Sequence, residues 1–136
     1  MSYPIHILIV EDSEIAQMAI EASLAQHGCI VDVAHDAECA LQKAHSHHYD
    51  VILMDINLGS GLDGFDLAAQ IKSQSVLNKK TSIAAVTSHI EPEYRDKAKA
   101  VGMVGYFNKP FTHQHAEKIV GFVKNNQLVR ILSHMK

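Results

Sequence analysis

The sequence is short of several things, and each shortage excludes a class of protein. Its 136 residues hold only two cysteines, Cys29 and Cys39, too few for a disulfide scaffold. With three prolines it has no Pro/Ser-rich linker, and it shows no internal repeat or low-complexity tract. No apolar run approaches the ~20 residues that cross a bilayer. The opening MSYPIHILIVEDSE lacks a cationic stretch ahead of a cleavable apolar segment, so a cytoplasmic, reduced protein is expected. Lys and Arg form no run, and 12 of them against 15 acids leave a net charge of −3. That argues against direct nucleic-acid binding, which usually rests on a basic stripe.

What is present is the composition of one globular domain, 47% hydrophobic and 20% charged, with enough chain to enclose a core. The ten histidines are unusual: protonating all of them would swing the charge from −3 to +7, so surface charge should depend steeply on pH near ~6.5.

Short apolar runs alternate with helical spacing. Ile5 to Val10 reads as a strand that stops at Glu11-Asp12-Ser13. Ile15, Met18, Ala19, Ala22 and Leu24-Ala25 recur at three to four residues, and Gly28 stops that helix. Ile30 to Ala34 is a second strand. Asp36 can cap a helix over Ala37 to His45 with Ala40, Leu41 and Ala44 inward. Val51 to Met54 is apolar without alternation, as expected for a strand buried on both faces of a parallel sheet. A glycine-rich loop (Gly59, Gly61, Gly64) leads to a helix with Leu67, Ala68 and Ile71. Ser82 to Val86 is a fourth strand, Glu91 to Val101 a helix, and Met103 to Phe107 a fifth strand. A last helix starts at Thr112, with Ile119, Phe122 and Val123 inward. Five strands alternating with five helices imply a single α/β domain, a doubly wound parallel sheet with helices on both faces. We expect that domain over residues 1–124 and an extension of the last helix, or a tail, over 125–136.

Polar residues gather where the strands end: Glu11 and Asp12, then Asp55, then Thr87 and Ser88, then Lys109. In a parallel sheet these ends share one edge, where open α/β folds place their sites. Any one of these residues alone is more simply a helix cap. Three carboxylates together repel one another, and a hard divalent cation such as Mg²⁺ relieves that with oxygen ligands, keeping room for phosphate. Lysine and hydroxyl suit phosphate oxygens, and a carboxylate beside the cation can attack phosphorus to give an acyl phosphate. The residues alone thus point to Mg²⁺-dependent phosphoryl transfer to an aspartate.

The blocks ILIVEDS (7–13), VILMDIN (51–57), LDGFDL (62–67), AVTS (85–88) and GYFNKPF (105–111) resemble the receiver domains of two-component response regulators, the family of the chemotaxis response regulator. The resemblance spans about residues 5–124. It implies strand order 2-1-3-4-5 and Asp55 as phosphoacceptor. Mg²⁺ would be held by Asp12 and Asp55, by Glu11 partly through water, and by the Asn57 backbone carbonyl. Thr87 would hydrogen-bond the phosphoryl group, Lys109 would stabilise its charge, and Tyr106 would be the aromatic switch that turns inward as Thr87 moves. The Lys109-Pro110 bond would be cis. The implied donor is a histidine kinase or histidine phosphotransfer protein. The implied output is a changed face of helix 4, strand 5 and helix 5 that binds a downstream protein or pairs two copies on phosphorylation. No enzymatic activity beyond self-phosphotransfer and autodephosphorylation is expected.

One block departs from the family pattern. The loop after Asp55 lacks the usual proline and is one residue longer, which leaves Asn57 in place but alters residues 58–62. The rival readings are weaker. A pseudo-receiver, binding partners without phosphorylation, is expected to have lost Asp55, Asp12 or Lys109. A haloacid-dehalogenase-type hydrolase wants an aspartate where Asn57 stands. A flavodoxin-like binder of flavin phosphate would be repelled by Glu11-Asp12. His45, His47 and His48 read as a solvated helix end rather than a metal site, and Cys29 and Cys39 as small buried packers. His89, two residues past Thr87, either faces solvent or shields the phosphoryl group from water.

Overall fold

The computed structural model describes residues 4–59 and 62–134. The elements run β1 (His6–Val10), α1 (Glu14–Ala25), β2 (Ile30–Ala34), α2 (Ala37–Ser46), β3 (Val51–Met54), α3 (Gly64–Gln74), β4 (Ser82–Thr87), α4 (Pro92–Ala100), β5 (Gly105–Asn108) and α5 (His113–His134). All neighbouring strands pair in parallel, in the order β2-β1-β3-β4-β5. This is the expected doubly wound sheet. Its strand order reverses at β1 and β3, so the loops after those two strands open onto one crevice.

The burial pattern follows from strand position. β1 and β3 are central and their apolar residues face helices on both sides, which is why VILM shows no alternation. One core packs Leu8, Ile52 and Met54 against Ala40 and Ala44 of α2, Leu67 and Ile71 of α3, and Ala98 of α4. The other packs Ile7, Ile9 and Leu53 against Ile20 and Leu24 of α1 and against Ala116, Ile119 and Val123 of α5. Each fully buried Leu or Ile contributes about 2 kcal/mol of apolar transfer.

Three helices start on caps that occupy the strand-to-helix loops. Ser13 Oγ accepts from the Ala16 amide (3.4 Å), Asp36 Oδ1 from Cys39 (2.8 Å) and Asp63 Oδ1 from Asp66 (2.8 Å). α4 is different: its Glu91 cap makes no side-chain bond and a proline begins the helix. Gly28 takes φ 75° after α1 and stops it, as the sequence suggests. Several expectations shift in detail. Phe122, expected inward, is 40% exposed, because Ile119 and Val123 already fill the α5 stripe. Ile15 and Met18 keep helical spacing yet lie on the outer side of α1, where Ile20 and Leu24 carry the burial. Cys29 and Cys39 are half-buried at the edges of the cores rather than inside them. Among the described residues no helix is long and apolar enough to cross a membrane.

At the edge of the sheet where β3 and β4 begin, a polar cluster ties loops together. Asn78 is fully buried. Its Nδ2 donates to the carbonyls of Ala44 (2.6 Å) and His47 (2.7 Å) and its Oδ1 accepts from the Tyr49 amide (2.9 Å). The Ser75 hydroxyl donates to Ala44 (2.9 Å), and the Thr81 hydroxyl reaches the Tyr49 carbonyl (3.1 Å) and Asn78 Oδ1 (3.0 Å). These side chains supply the carbonyls that the end of α2 leaves free. Beside them the Tyr49 hydroxyl donates to Asp32 (2.8 Å), and His6 Nε2 lies 3.1 Å from the same oxygen.

Candidate functional site

The opposite edge brings the strand-end residues together. Asp55 follows β3, and its amide bonds Val10 (2.9 Å); Glu11 follows β1, and its amide bonds Ala34 of β2 (3.0 Å). Continued ladder bonding past the last strand residue therefore fixes both backbones. None of the site acids is spent as a cap at α1, α2 or α3, since Ser13, Asp36 and Asp63 do that work. Glu11, Asp12 and Asp55 each place a carboxylate oxygen within 4.8 Å of the other two. Glu11 is 1% exposed and Asp55 7%, while Asp12 lies open to solvent.

Lys109 spans the two buried acids. Its ammonium lies 2.6 Å from Glu11 Oε1 and 2.9 Å from Asp55 Oδ2. The Asn57 amide donates to Asp55 Oδ1 at 3.2 Å, and the Ser13 amide to Glu11 Oε2 at 3.1 Å. Burial pushes the Glu11 carboxyl above its ordinary range, and the nearby Asp55 charge adds to that; Lys109 and the Ser13 amide only partly offset it. Burial works against the Lys109 charge too, but its hydrogen bonds and ion pairs with Glu11 and Asp55 outweigh it and hold the ammonium above its ordinary range. Glu11 Oε1 is buried, and its close partner is the Lys109 ammonium at 2.6 Å. Among the described residues one ammonium thus stands against three carboxylates. That donor set, all oxygen and net negative, fits a hard divalent cation.

Gly64 shapes the loop over the site. Its amide donates to the Ile56 carbonyl (2.7 Å), and a Cβ there would collide with the Asp55 carbonyl oxygen and lie 2.8 Å from Ile56 Cα. Only glycine lets α3 start this close to the strand-end backbone. Part of the altered stretch 58–62 lies outside the described residues.

Thr87 is buried, and its Oγ1 accepts from the His89 amide (3.3 Å). Tyr106 is half-buried, with its hydroxyl donating to the His89 carbonyl (2.8 Å) and the Arg95 guanidinium 4.7 Å above its ring. Burial raises the phenol above its ordinary range. The Lys109-Pro110 bond is cis. The three histidines near 45–48 are exposed, as a solvated helix end would be. His89 does not simply face solvent: Asn57 Nδ2 lies 2.7 Å from its Nε2, and its ring stacks on Tyr94 at 4.1 Å. Sequence reasoning singled out neither Tyr94 nor Asn108, whose amide also donates to the His89 carbonyl (2.8 Å). The spacing of Tyr94 on α4 was the one available signal, and it reads equally well as packing.

Comparison with known proteins narrows what an α/β fold of this strand order, with three acids, a lysine and a threonine at its switch edge, can be. Residues 7–121 match the model of the response regulator receiver domain. The sensor histidine kinase AruS of Pseudomonas aeruginosa is 32% identical over 120 residues, covering 88% of this chain and 12% of that protein. The two-component response regulator PhoP of the same organism is 30% identical over 111 residues, covering 82% of this chain and 48% of that protein. The chain therefore spans less than half the length of either relative. Among solved structures, the Vibrio cholerae chemotaxis protein CheY4 superposes with TM-score 0.79 at 34% identity, covering 89% of this chain and 99% of that one. The chain belongs to the response regulator receiver domain family.

Proposed function

We propose that this chain is a phosphoacceptor switch in which Asp55 takes a phosphoryl group from a phosphohistidine donor and autodephosphorylation resets it. The observation that carries this reading is Lys109 bridging Asp55 and Glu11 beside Asp12. Asp12, Asp55, Glu11 and the Asn57 carbonyl are the groups suited to hold Mg²⁺, which when bound would neutralise the acids and accept phosphoryl oxygens. An oxygen of Asp55 attacks phosphorus, the P–N bond to the donor imidazole breaks, and the imidazole keeps its electron pair and takes up a proton. Lys109 then pairs with the new phosphoryl charge, and Thr87 turns its hydroxyl to it. Asn57 and His89 lie where water would approach, so His89→Ala should shorten the phosphoryl lifetime.

The donor must rest on the rim of this site. The rim on the α1 side is a cleft of about 460 Å³ that includes Ile15, Ala19, Lys109, Pro110 and Phe111. Ile15, which lines it, is 83% exposed, and Met18, one turn further along α1, is 69% exposed. An apolar pair this exposed next to a catalytic mouth fits a helical histidine kinase or phosphotransfer protein. The output face is α4, β5 and α5. There a groove of about 340 Å³ runs along Arg95, Lys99, Val104 and Tyr106, and it suits a downstream protein or a second, phosphorylated copy. The switch unit occupies residues 1–124 and the rest of α5 extends it. A cytoplasmic setting, where such a kinase presents its phosphohistidine, belongs to this reading.

The test is incubation with acetyl phosphate and Mg²⁺, followed by peptide mass spectrometry. A phosphoryl group on Asp55 that needs Mg²⁺ and disappears in Asp55→Asn is the expected result. An unmodified chain would favour a pseudo-receiver that binds partners without phosphorylation.

A further inference from the structure

His89 is wired to the site twice, once through its backbone and once through its side chain. The backbone amide donates to Thr87 Oγ1 (3.3 Å), and the carbonyl accepts from the Tyr106 hydroxyl (2.8 Å) and from Asn108 Nδ2 (2.8 Å). The side chain points to other elements. An amide nitrogen only donates, so the 2.7 Å contact from Asn57 Nδ2 makes His89 Nε2 the acceptor and puts the ring proton on Nδ1. Nδ1 faces the Glu91 carboxylate, at 3.5 Å, where α4 begins. The ring stacks on Tyr94 in the first turn of α4, with centroids 4.1 Å apart and planes 17° apart, and Tyr94 lies over Phe65 of α3 at 6.3 Å.

The helix at the far end of these contacts is weakly anchored. α4 fully buries only Ala98, and its cap makes no side-chain bond. Elements with so few buried contacts are those whose position a small perturbation can bias. At the near end, Asn57 is tied to the acceptor itself, since its amide donates to Asp55 Oδ1 (3.2 Å). A phosphoryl group on Asp55 changes the charge and size at that oxygen and so the pose of Asn57.

Resting on the phosphoacceptor reading above, we propose that His89 is a positioning residue that carries the state of Asp55 to α4 through its side chain. The path runs from Asn57 to the imidazole, and from the imidazole to Tyr94 and Glu91. It lies beside the path through Thr87 and Tyr106, which uses the His89 backbone and meets α4 one residue further on, at Arg95, whose guanidinium lies 4.7 Å over the Tyr106 ring. The start of α4, at Glu91 and Tyr94, is reached by the His89 side chain.

Two-dimensional NMR of the full chain with Mg²⁺ and saturating beryllofluoride tests this, with fluorine spectra verifying occupancy in every variant. In His89→Phe the ring stack is kept and the hydrogen bond to Asn57 is removed; in Tyr94→Leu the stack is removed and that bond is kept. Both should reduce the beryllofluoride-dependent amide shifts of Glu93 to Lys97 roughly twofold or more, while the shifts at Thr87 and Tyr106 persist. Tyr106→Leu should leave the beryllofluoride-dependent shifts of Glu93 and Tyr94 in place, Arg95 being excepted because its guanidinium lies over the Tyr106 ring. Shifts of wild-type size along α4 in either of the first two variants, with folded spectra, would overturn the side-chain path and leave the phosphoacceptor reading intact. A wild-type protein that shows no beryllofluoride-dependent shift would overturn both.

Discussion

The two edges of the sheet each carry a cluster of polar side chains, and they solve opposite problems. Where β3 and β4 begin, Asn78, Ser75, Thr81 and Tyr49 are buried and hydrogen-bonded to one another and to the end of α2. Where β1 and β3 end, Glu11 and Asp55 are just as buried, with Asp12 beside them, yet one ammonium faces three carboxylates. The carboxyls near the two edges are shifted in opposite directions. Burial works against ionised Asp32, but hydrogen bonds from Tyr49 and His6 outweigh it and hold that carboxyl below its ordinary value. Glu11 is held above its own, chiefly by burial. A satisfied polar network fixes loops in place; one with an excess of like charge has room for a cation.

Breaking the satisfied edge should have the largest effect on stability. Asn78→Ala leaves buried groups of Tyr49 and His47 without partners and should cost about 3 kcal/mol, read by urea unfolding. Mg²⁺ affinity at the far edge should be unchanged. Removing the one cation from the other edge should cost less. Lys109→Ala should destabilise the metal-free protein by about 2 kcal/mol, under the fully buried range because Lys109 keeps some solvent contact. It should also bind Mg²⁺ more tightly, by calorimetry, while losing phosphorylation.

The opposite shifts sharpen the comparison through pH. A lowered Asp32 contributes stability that is present above its ordinary value of 3.8 and is lost as pH falls through its lowered one. The advantage of wild type over Asp32→Asn should therefore vanish in strong acid. A raised Glu11 contributes in the other sense: its stability is full below 4.5 and is lost as pH rises through the raised value. Metal-free wild type should thus lose ground to Glu11→Gln as pH climbs from 4.5 toward neutrality, in paired denaturation curves.

How far the sequence disclosed each edge follows from what each is made of. The acidic edge was legible because its residues sit at strand ends, and unbroken apolar runs such as VILM mark where strands end. Charged residues there have few structural uses once Ser13, Asp36 and Asp63 serve as caps. The Asn78 cluster was not legible. Its members fall in loops and at helix ends, where Ser, Asn and Thr are ordinary turn residues, and only the packing of α2 against α3 brings them together. The same limit applies to His89: its position past Thr87 was visible, but its stack on Tyr94 depends on how α4 is set against β4. Ile15 and Met18 show that helical spacing alone does not mark burial: they stand exposed, while Ile20 and Leu24 carry the inner face of α1.

The smallest expected effect is at Asp12, the exposed member of the acidic cluster. Asp12→Ala removes one of three mutually repelling charges and should leave the metal-free melting temperature unchanged or raise stability by about 0.5 kcal/mol. A fall on melting in EDTA would show that Asp12 has a structural partner and that repulsion is not what the edge holds.

The most direct measurement is the thermal stability of the wild-type chain and of Asp12→Ala as Mg²⁺ is titrated into metal-free protein. If the strand-end acids form a site strained by the lack of a cation, wild type should melt at progressively higher temperature as Mg²⁺ saturates, by the linkage of binding to folding. Asp12→Ala should hardly respond. A wild-type melting temperature indifferent to millimolar Mg²⁺, or an equal rise in both proteins, would contradict the account.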